Sequence, residues 1–207
     1  MAVSFDLFGT LVDADTPDDP AGAVARELEE RGVEVPPEFA AAYREPHVDA
    51  PDGAEVPLPK HVGAALASRG VDAPEDAVRR AVTAAFEPDV ERRAGLERAI
   101  EAARTRGPVA VCSNCSVPGL APRALDRAGL RGAFDVVVAS VDCGWRKPDP
   151  RAFEAVAERL DLDGPAALVH VGDDPRTDGG VERVGGRFVD VRTTPLAALP
   201  DALEAVA

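Results

Sequence analysis

Lysine is almost missing from this chain: of 23 basic residues only Lys60 and Lys147 are lysine, and the other 21 are arginine. Aromatic residues make up 4%, and methionine and tryptophan occur once each, so a core must be built from Ala, Val and Leu rather than from large rings. Three cysteines, Cys112, Cys115 and Cys143, cannot all pair and suit a reducing compartment better than a disulfide framework, which predicts free thiols. No apolar run approaches the roughly 18 residues of a membrane span, and the start, Met1-Ala2-Val3-Ser4-Phe5-Asp6, has no basic stretch ahead of an apolar one. These absences predict a cytoplasmic protein with no membrane partner.

Positive charge is outnumbered as well. Against 37 acidic residues the net charge is −14, a field that repels nucleic acid and leaves small, locally captured molecules as partners. Asp (21) exceeds Glu (16). Strongly hydrated carboxylates at this density suit molar salt, where screening over a few ångströms removes their mutual repulsion, so the composition predicts a halophilic protein. Nothing in it fixes an oligomeric state. The 207 residues suit one domain of ordinary size with room for an insertion.

Short apolar, β-rich runs at 2–7, 108–112, 134–139, 166–171 and 187–191 alternate with amphipathic patterns at 95–106, 118–129, 150–161, 176–184 and 196–206. Near-continuous apolar strands alternating with helices predict an α/β fold with a parallel, doubly wound sheet covered on both faces. One interval breaks the rhythm. About a hundred residues separate the first two strands, far more than one crossover needs. Most of the excess has helical periodicity of its own, at 20–32, 37–45, 60–70 and 74–86, and the Pro-rich stretch 46–59 reads as a loop crossing it. The expected organisation is a core of residues 1–13 and 93–207 with an all-α, four-helix insertion at 14–92.

Ligands of open parallel sheets bind beyond the carboxyl ends of the strands. The residues at that rim form a set: Asp6-Leu7-Phe8-Gly9-Thr10-Leu11 after the first strand, Ser113-Asn114 after the second, Arg146-Lys147-Pro148-Asp149-Pro150 ahead of the helix at 150–161, and Gly172-Asp173-Asp174-Pro175-Arg176-Thr177-Asp178 after the fourth. In order and placement these motifs resemble the haloacid dehalogenase-like superfamily. The resemblance covers nearly the whole chain and implies a Rossmann-like core whose insertion is the family's helical cap.

The resemblance implies Asp6 as nucleophile, forming an acyl-phosphate that water hydrolyses, with Thr10 orienting the loop and Asp6. It implies that Ser113, Lys147 and the backbone N–H groups around Phe8, Gly9 and Asn114 hold the charged phosphoryl oxygens. A magnesium ion, which prefers oxygen ligands, would take Asp6, the Phe8 carbonyl and Asp173, with Asp178 nearby, and Asp174 is a possible extra ligand. The rarity of lysine gives Lys147 weight.

One position departs from the pattern. Family phosphatases carry a second Asp two residues after the nucleophile as general acid and base, and here that residue is Phe8, whose ring exchanges no proton. Several readings stay open. The protein is a phosphohydrolase whose leaving group needs no acid, or whose proton comes from His47, His61, Tyr43 or Glu45. Alternatively it resembles the 2-haloacid dehalogenases, from which halide departs unprotonated; these need no metal, and the acidic run after the fourth strand speaks against them. A third reading resembles the phosphonoacetaldehyde hydrolases, whose cap lysine forms an imine; Lys60, beside His61, is the one lysine in the insertion. A fourth is a non-catalytic binder of phosphate or of a partner protein. Lys60, His61 and Tyr43 are therefore the candidate substrate-facing residues of the insertion. His170, inside an apolar strand, reads as a satisfied core histidine, and Cys112-x2-Cys115 lacks the second pair a zinc site wants.

Overall fold

A computed structural model describes residues 1–87 and 89–205. Five strands, β1 (Ala2–Phe5), β4 (Val109–Ser113), β5 (Val136–Ala139), β6 (Leu168–Gly172) and β7 (Arg187–Asp190), pair in the order β5-β4-β1-β6-β7, every neighbour parallel. This is the α/β architecture expected from the apolar runs. Side chains alternate across the sheet with period two. Val3, Phe5, Val109, Val111, Val169 and Val171 enter one apolar cluster, while Ala2, Ala110, Cys112, Val138 and Leu168 enter a second on the opposite face. Helix α5 (Leu96–Arg106) lies against β1 and β4 on the first face, and α8 (Pro150–Arg159) brings Phe153 and Val156 to the second.

Helix starts follow local chemistry. Asp19 caps α1 (Pro20–Glu30) by accepting from the Gly22 N–H at 3.1 Å, and Asp149 caps α8 by accepting from the Arg151 N–H at 3.0 Å; in both, proline occupies the first turn, where no N–H partner is needed. The Lys147-Pro148-Asp149-Pro150 segment thus serves two ends: its aspartate and second proline begin a helix, and its lysine is left at the sheet rim.

Between β1 and β4 the chain forms α1, α2 (Phe39–Ala42), α3 (Leu58–Ala67) and α4 (Glu75–Ala85), with α1 and α3 packed on α4. A short antiparallel pair, β2 (Val12–Ala14) with β3 (Val90–Arg92), closes the base of this excursion. The pair has three residues a side and half its positions are charged or exposed, so it leaves no periodic signal. The Pro-rich loop is not a free crossing. Ala54 forms a bridge with Trp145, Glu55 N–H donates to the Gly144 carbonyl at 2.8 Å, and Arg146 N–H donates to the Gly53 carbonyl at 2.9 Å, which docks the loop on the segment leading to Lys147.

Three helix expectations need correction. The pattern at 37–45 yields only α2, because both ends tighten into i−3 turns, Phe39 N–H donating to the Pro36 carbonyl and Arg44 N–H to the Ala41 carbonyl just ahead of Pro46. The pattern at 176–184 is a 3-10 run, Asp178–Val184, since Gly179 and Gly180 weaken α geometry there. The pattern at 196–206 begins as a 3-10 turn, Leu196–Ala198, before α9 (Leu199–Ala205); its last residue lies outside the described ones. The short elements α6 (Leu120–Arg127) and α7 (Ser140–Cys143) complete the chain.

Candidate active site

Asp6 leaves β1 at its carboxyl end, its N–H bound to the Val171 carbonyl of β6 at 2.8 Å, so the sheet ladder sets the direction of the residue. Its side chain is buried and meets Lys147, a residue only 3% exposed, whose ammonium donates to Asp6 Oδ1 at 2.8 Å, Asp178 Oδ1 at 2.6 Å and the Cys112 carbonyl at 2.6 Å. Burial disfavours the ionised Asp6 and pushes its pKa up to about 6; the Lys147 charge opposes this and the nearby Asp178 charge reinforces it. For Lys147, burial alone would lower the pKa, yet the anionic neighbours headed by Asp6 raise it above the ordinary lysine value, so the ammonium is retained. Burial likewise works to raise Asp178, but the hydrogen bond from His170 and the Lys147 charge hold it well below the usual carboxylate range.

His170 explains how Asp178 is fixed. Ser4 and His170 are paired in the β1–β6 register and therefore share a face, which puts Ser4 Oγ 2.8 Å from His170 Nδ1. The ring's other nitrogen, Nε2, lies 3.1 Å from Asp178 Oδ1. Burial, with the adjacent Lys147 charge, drives the imidazole pKa down to about 4, so at neutral pH the ring carries one proton. That proton belongs on Nε2, which faces a carboxylate, and Nδ1 accepts from the Ser4 hydroxyl. His170 is a satisfied core histidine, as its strand position predicts, and it also orients an acidic residue of the rim. Asp178 Oδ2 accepts the Asp174 N–H at 3.0 Å, which completes the hold.

Asp6, Asp173 and Asp178 each offer a carboxylate oxygen, and all three oxygens lie within 4.8 Å of one another, the one such acidic, His or Cys group among the described residues. Asp174 is not in it: its carboxylate turns to the Arg176 backbone N–H and guanidinium, both at 3.0 Å. Thr10 is buried and donates to Asp173 Oδ1 at 3.1 Å, so it orients Asp173 rather than Asp6, a correction to the role the motif implied. Gly9 makes room for this contact. Its φ is +85°, and a Cβ there would stand 2.8 Å from Asp173 Oδ2.

Ser113, the buried last residue of β4, stands at the same rim. The Asn114 side chain has a structural task beside the backbone N–H that the motif implies for it. Its Nδ2 donates to the Lys147 carbonyl at 2.9 Å and its Oδ1 accepts the Lys147 N–H at 2.8 Å, so the side chain clamps the lysine's backbone and is not free for a ligand. Two residues 33 apart give no local signal of such a pair.

A cavity of about 370 Å³ adjoins the rim. Phe8 and Asn114 line it from the core side, and Tyr43, Leu58 and Phe86 from the insertion. Of the insertion residues singled out from sequence, Tyr43 alone reaches it. Lys60 is solvent-exposed and absent from its walls. His61 donates through Nε2 to the Tyr43 carbonyl and His47 through Nε2 to the Ala42 carbonyl, both at 2.8 Å, and these two histidines line a separate hollow with Arg44. Glu45 is paired with Arg69 at 2.8 Å. The three cysteines are free thiols; burial pushes Cys112 up to about 12, and its useful atom is the carbonyl that receives Lys147.

Residues 1–180 match the family model for haloacid dehalogenase-like hydrolases. Human haloacid dehalogenase-like hydrolase domain-containing protein 3 is 43% identical over 82 residues, 38% of this chain and 31% of that protein. A phosphatase of Mycobacterium tuberculosis (strain CDC 1551 / Oshkosh) is 42% identical over 71 residues, 34% of this chain and 33% of that protein. These matches span about a third of each relative's length. The crystal structure of a 2-haloacid dehalogenase from Pseudomonas syringae pv. tomato DC3000 superposes with a TM-score of 0.69 at 23% identity, covering 100% of this chain and 99% of that one, which shows a shared fold. No helix among the described residues is long and apolar enough to cross a membrane. The matched family model, spanning the residues that build the acidic rim, establishes that the chain belongs to the haloacid dehalogenase-like hydrolases.

Proposed function

We propose that the protein is a magnesium-dependent phosphohydrolase that works through an aspartyl-phosphate on Asp6, with residues 14–92 acting as a cap over the rim. The observation that carries this reading is the buried Asp6 carboxylate bound to Lys147 beside Asp173 and Asp178. Three carboxylates and no nitrogen or sulfur donor form an oxygen-only set, which fits a hard divalent cation. Asp6, Asp173 and Asp178 would hold it, with the Phe8 carbonyl as a further ligand. When bound, magnesium neutralises charge on the transferred phosphoryl group.

The chain's own groups do the rest. The Asp6 carboxylate oxygen attacks phosphorus, and Lys147 steadies that carboxylate and supplies positive charge beside the phosphoryl oxygens. Ser113 donates its hydroxyl to one of those oxygens. Thr10 and His170 keep Asp173 and Asp178 in place from below. The insertion excludes water from the attack through the cavity wall it contributes. Because Phe8 holds no proton, the leaving group departs as an anion. The same feature favours a second reading, haloacid dehalogenation, in which halide leaves unprotonated; metal dependence separates the two. Lys60, exposed and outside the cavity, gives no support to an imine mechanism.

The test is turnover of an activated aryl phosphate with and without magnesium. The expected result is magnesium-dependent release of phosphate that Asp6→Asn abolishes. Metal-independent release of halide from 2-haloacids, with no phosphate release, would replace this reading by the second.

A further inference from the structure

We infer that the cavity beside the rim receives an uncharged aromatic leaving group, so that the substrate class is an aryl phosphate monoester with no second anionic group. The inference rests on the phosphohydrolase reading above and adds to it the nature of the group that departs.

Position comes first. Phe8 lies two residues past the nucleophile and Asn114 one past Ser113, and both are walls of the cavity, so a group leaving the phosphorus opposite Asp6 has this space beside it. The charge of the walls is the second observation. The chain has 21 arginines, yet no arginine or lysine lines the cavity among the described residues, and its one charged wall residue is Asp15. A leaving group bearing a carboxylate or another phosphate would lose water there, find no cation, and face a like charge. The apolar surface is the third: the rings of Phe8, Tyr43 and Phe86, with Leu58, Val117 and Leu120, suit the faces and edges of an aromatic ring.

Proton chemistry leads to the same class. Phe8 stands where an acid would protonate the departing oxygen. Tyr43, the one titratable hydroxyl in the cavity wall, has its pKa raised by burial and is a poorer acid for it. With Asp15 the one carboxyl in the wall and Phe8 at the acid's place, a departing oxygen that takes no proton must be a stable anion. A phenol ionises near ~10, against roughly 15.7 for water, so a phenolate leaves unaided far more readily than an alkoxide. In the first step an Asp6 oxygen bonds to phosphorus while the phosphorus–aryl oxygen bond breaks, and that electron pair leaves on the phenolate, which takes a proton from solvent. In the second, water bonds to phosphorus, the phosphorus–Asp6 bond breaks, the carboxylate is regenerated, and the water's proton passes to solvent. The sum is aryl phosphate plus water to phenol plus inorganic phosphate.

The experiment compares kcat/KM in magnesium for phenyl phosphate, 4-(carboxymethyl)phenyl phosphate and glucose 6-phosphate, on the wild-type protein and on Ser116→Arg, which sets a guanidinium in the wall. Phenyl phosphate is expected to exceed the carboxymethyl compound at least tenfold and the sugar phosphate at least a hundredfold. Ser116→Arg should narrow or reverse the first ratio. The carboxymethyl compound or the sugar phosphate turning over as well as phenyl phosphate would overturn the inference while leaving the Asp6 reading standing. No turnover of any of them, with no labelling of Asp6, would overturn that reading and this inference together.

Discussion

Replacing the nucleophile should make the protein more stable. Asp6 ionises at an ordinary value of 3.8 when exposed and at about 6 when folded, because burial outweighs its bond to Lys147. Between those two values the folded chain binds a proton the unfolded chain has released. Stability therefore falls as pH rises through that window and stays lowered above it, by about 3 kcal/mol for a gap of this size. Asparagine has the shape of the neutral acid, and Lys147 keeps Asp178 and the Cys112 carbonyl as partners. Asp6→Asn at pH 7.5 without divalent cations should thus gain about 2–3 kcal/mol, or roughly 5–10 °C in Tm for a chain of this length. At pH 4, just above the exposed value, the gain should shrink to less than about 1 kcal/mol. His170, depressed to about 4, gives stability a slope of opposite sign over the same window, but it is present in both proteins and drops out of the difference. Scanning calorimetry in EDTA at the two pH values is the assay. An Asp6→Asn protein less stable than wild type at pH 7.5 would show that the ion pair with Lys147 outweighs burial, and the reasoning would fall.

Two further substitutions probe the supports of the site. Asn114→Ala removes both bonds to the Lys147 backbone and leaves its N–H without that acceptor; it should cost about 1–3 kcal/mol and lower kcat at least tenfold with little change in KM, checked by denaturant unfolding and steady-state kinetics. Gly172→Ala would put a Cβ 2.3 Å from Asp178 Cγ. The displaced carboxylate should weaken magnesium binding by about 10- to 100-fold in calorimetric titration.

The three central strands, β1, β4 and β6, are legible because each is a short run buried on both faces, and the motifs of Asp6, Ser113 and Asp173 are legible because each ends or follows such a run. Partnership across the rim is not. The resemblance implies Thr10 as an orienter of the loop and Asp6, yet its hydroxyl donates to Asp173, 163 residues away. Asn114 enters the sequence reading through its backbone N–H alone; that its side-chain amide matches both peptide groups flanking Lys147, 33 residues away, carries no local signal. The docking of the Pro-rich loop through Ala54 and Trp145, and the β2–β3 pair, are also long-range and carry no period. His170 shows the limit most clearly. An apolar strand predicts its burial, but only the β1–β6 register reveals that Ser4 holds its far side and Asp178 its near one.

The most direct test of the central claim is peptide mass spectrometry of protein quenched in acid during turnover of phenyl phosphate with magnesium. The account predicts the mass of one phosphoryl group on the peptide carrying Asp6, absent from Asp6→Asn. Phosphate release with Asp6 unmodified in quenched samples, and retained by Asp6→Asn, would contradict it.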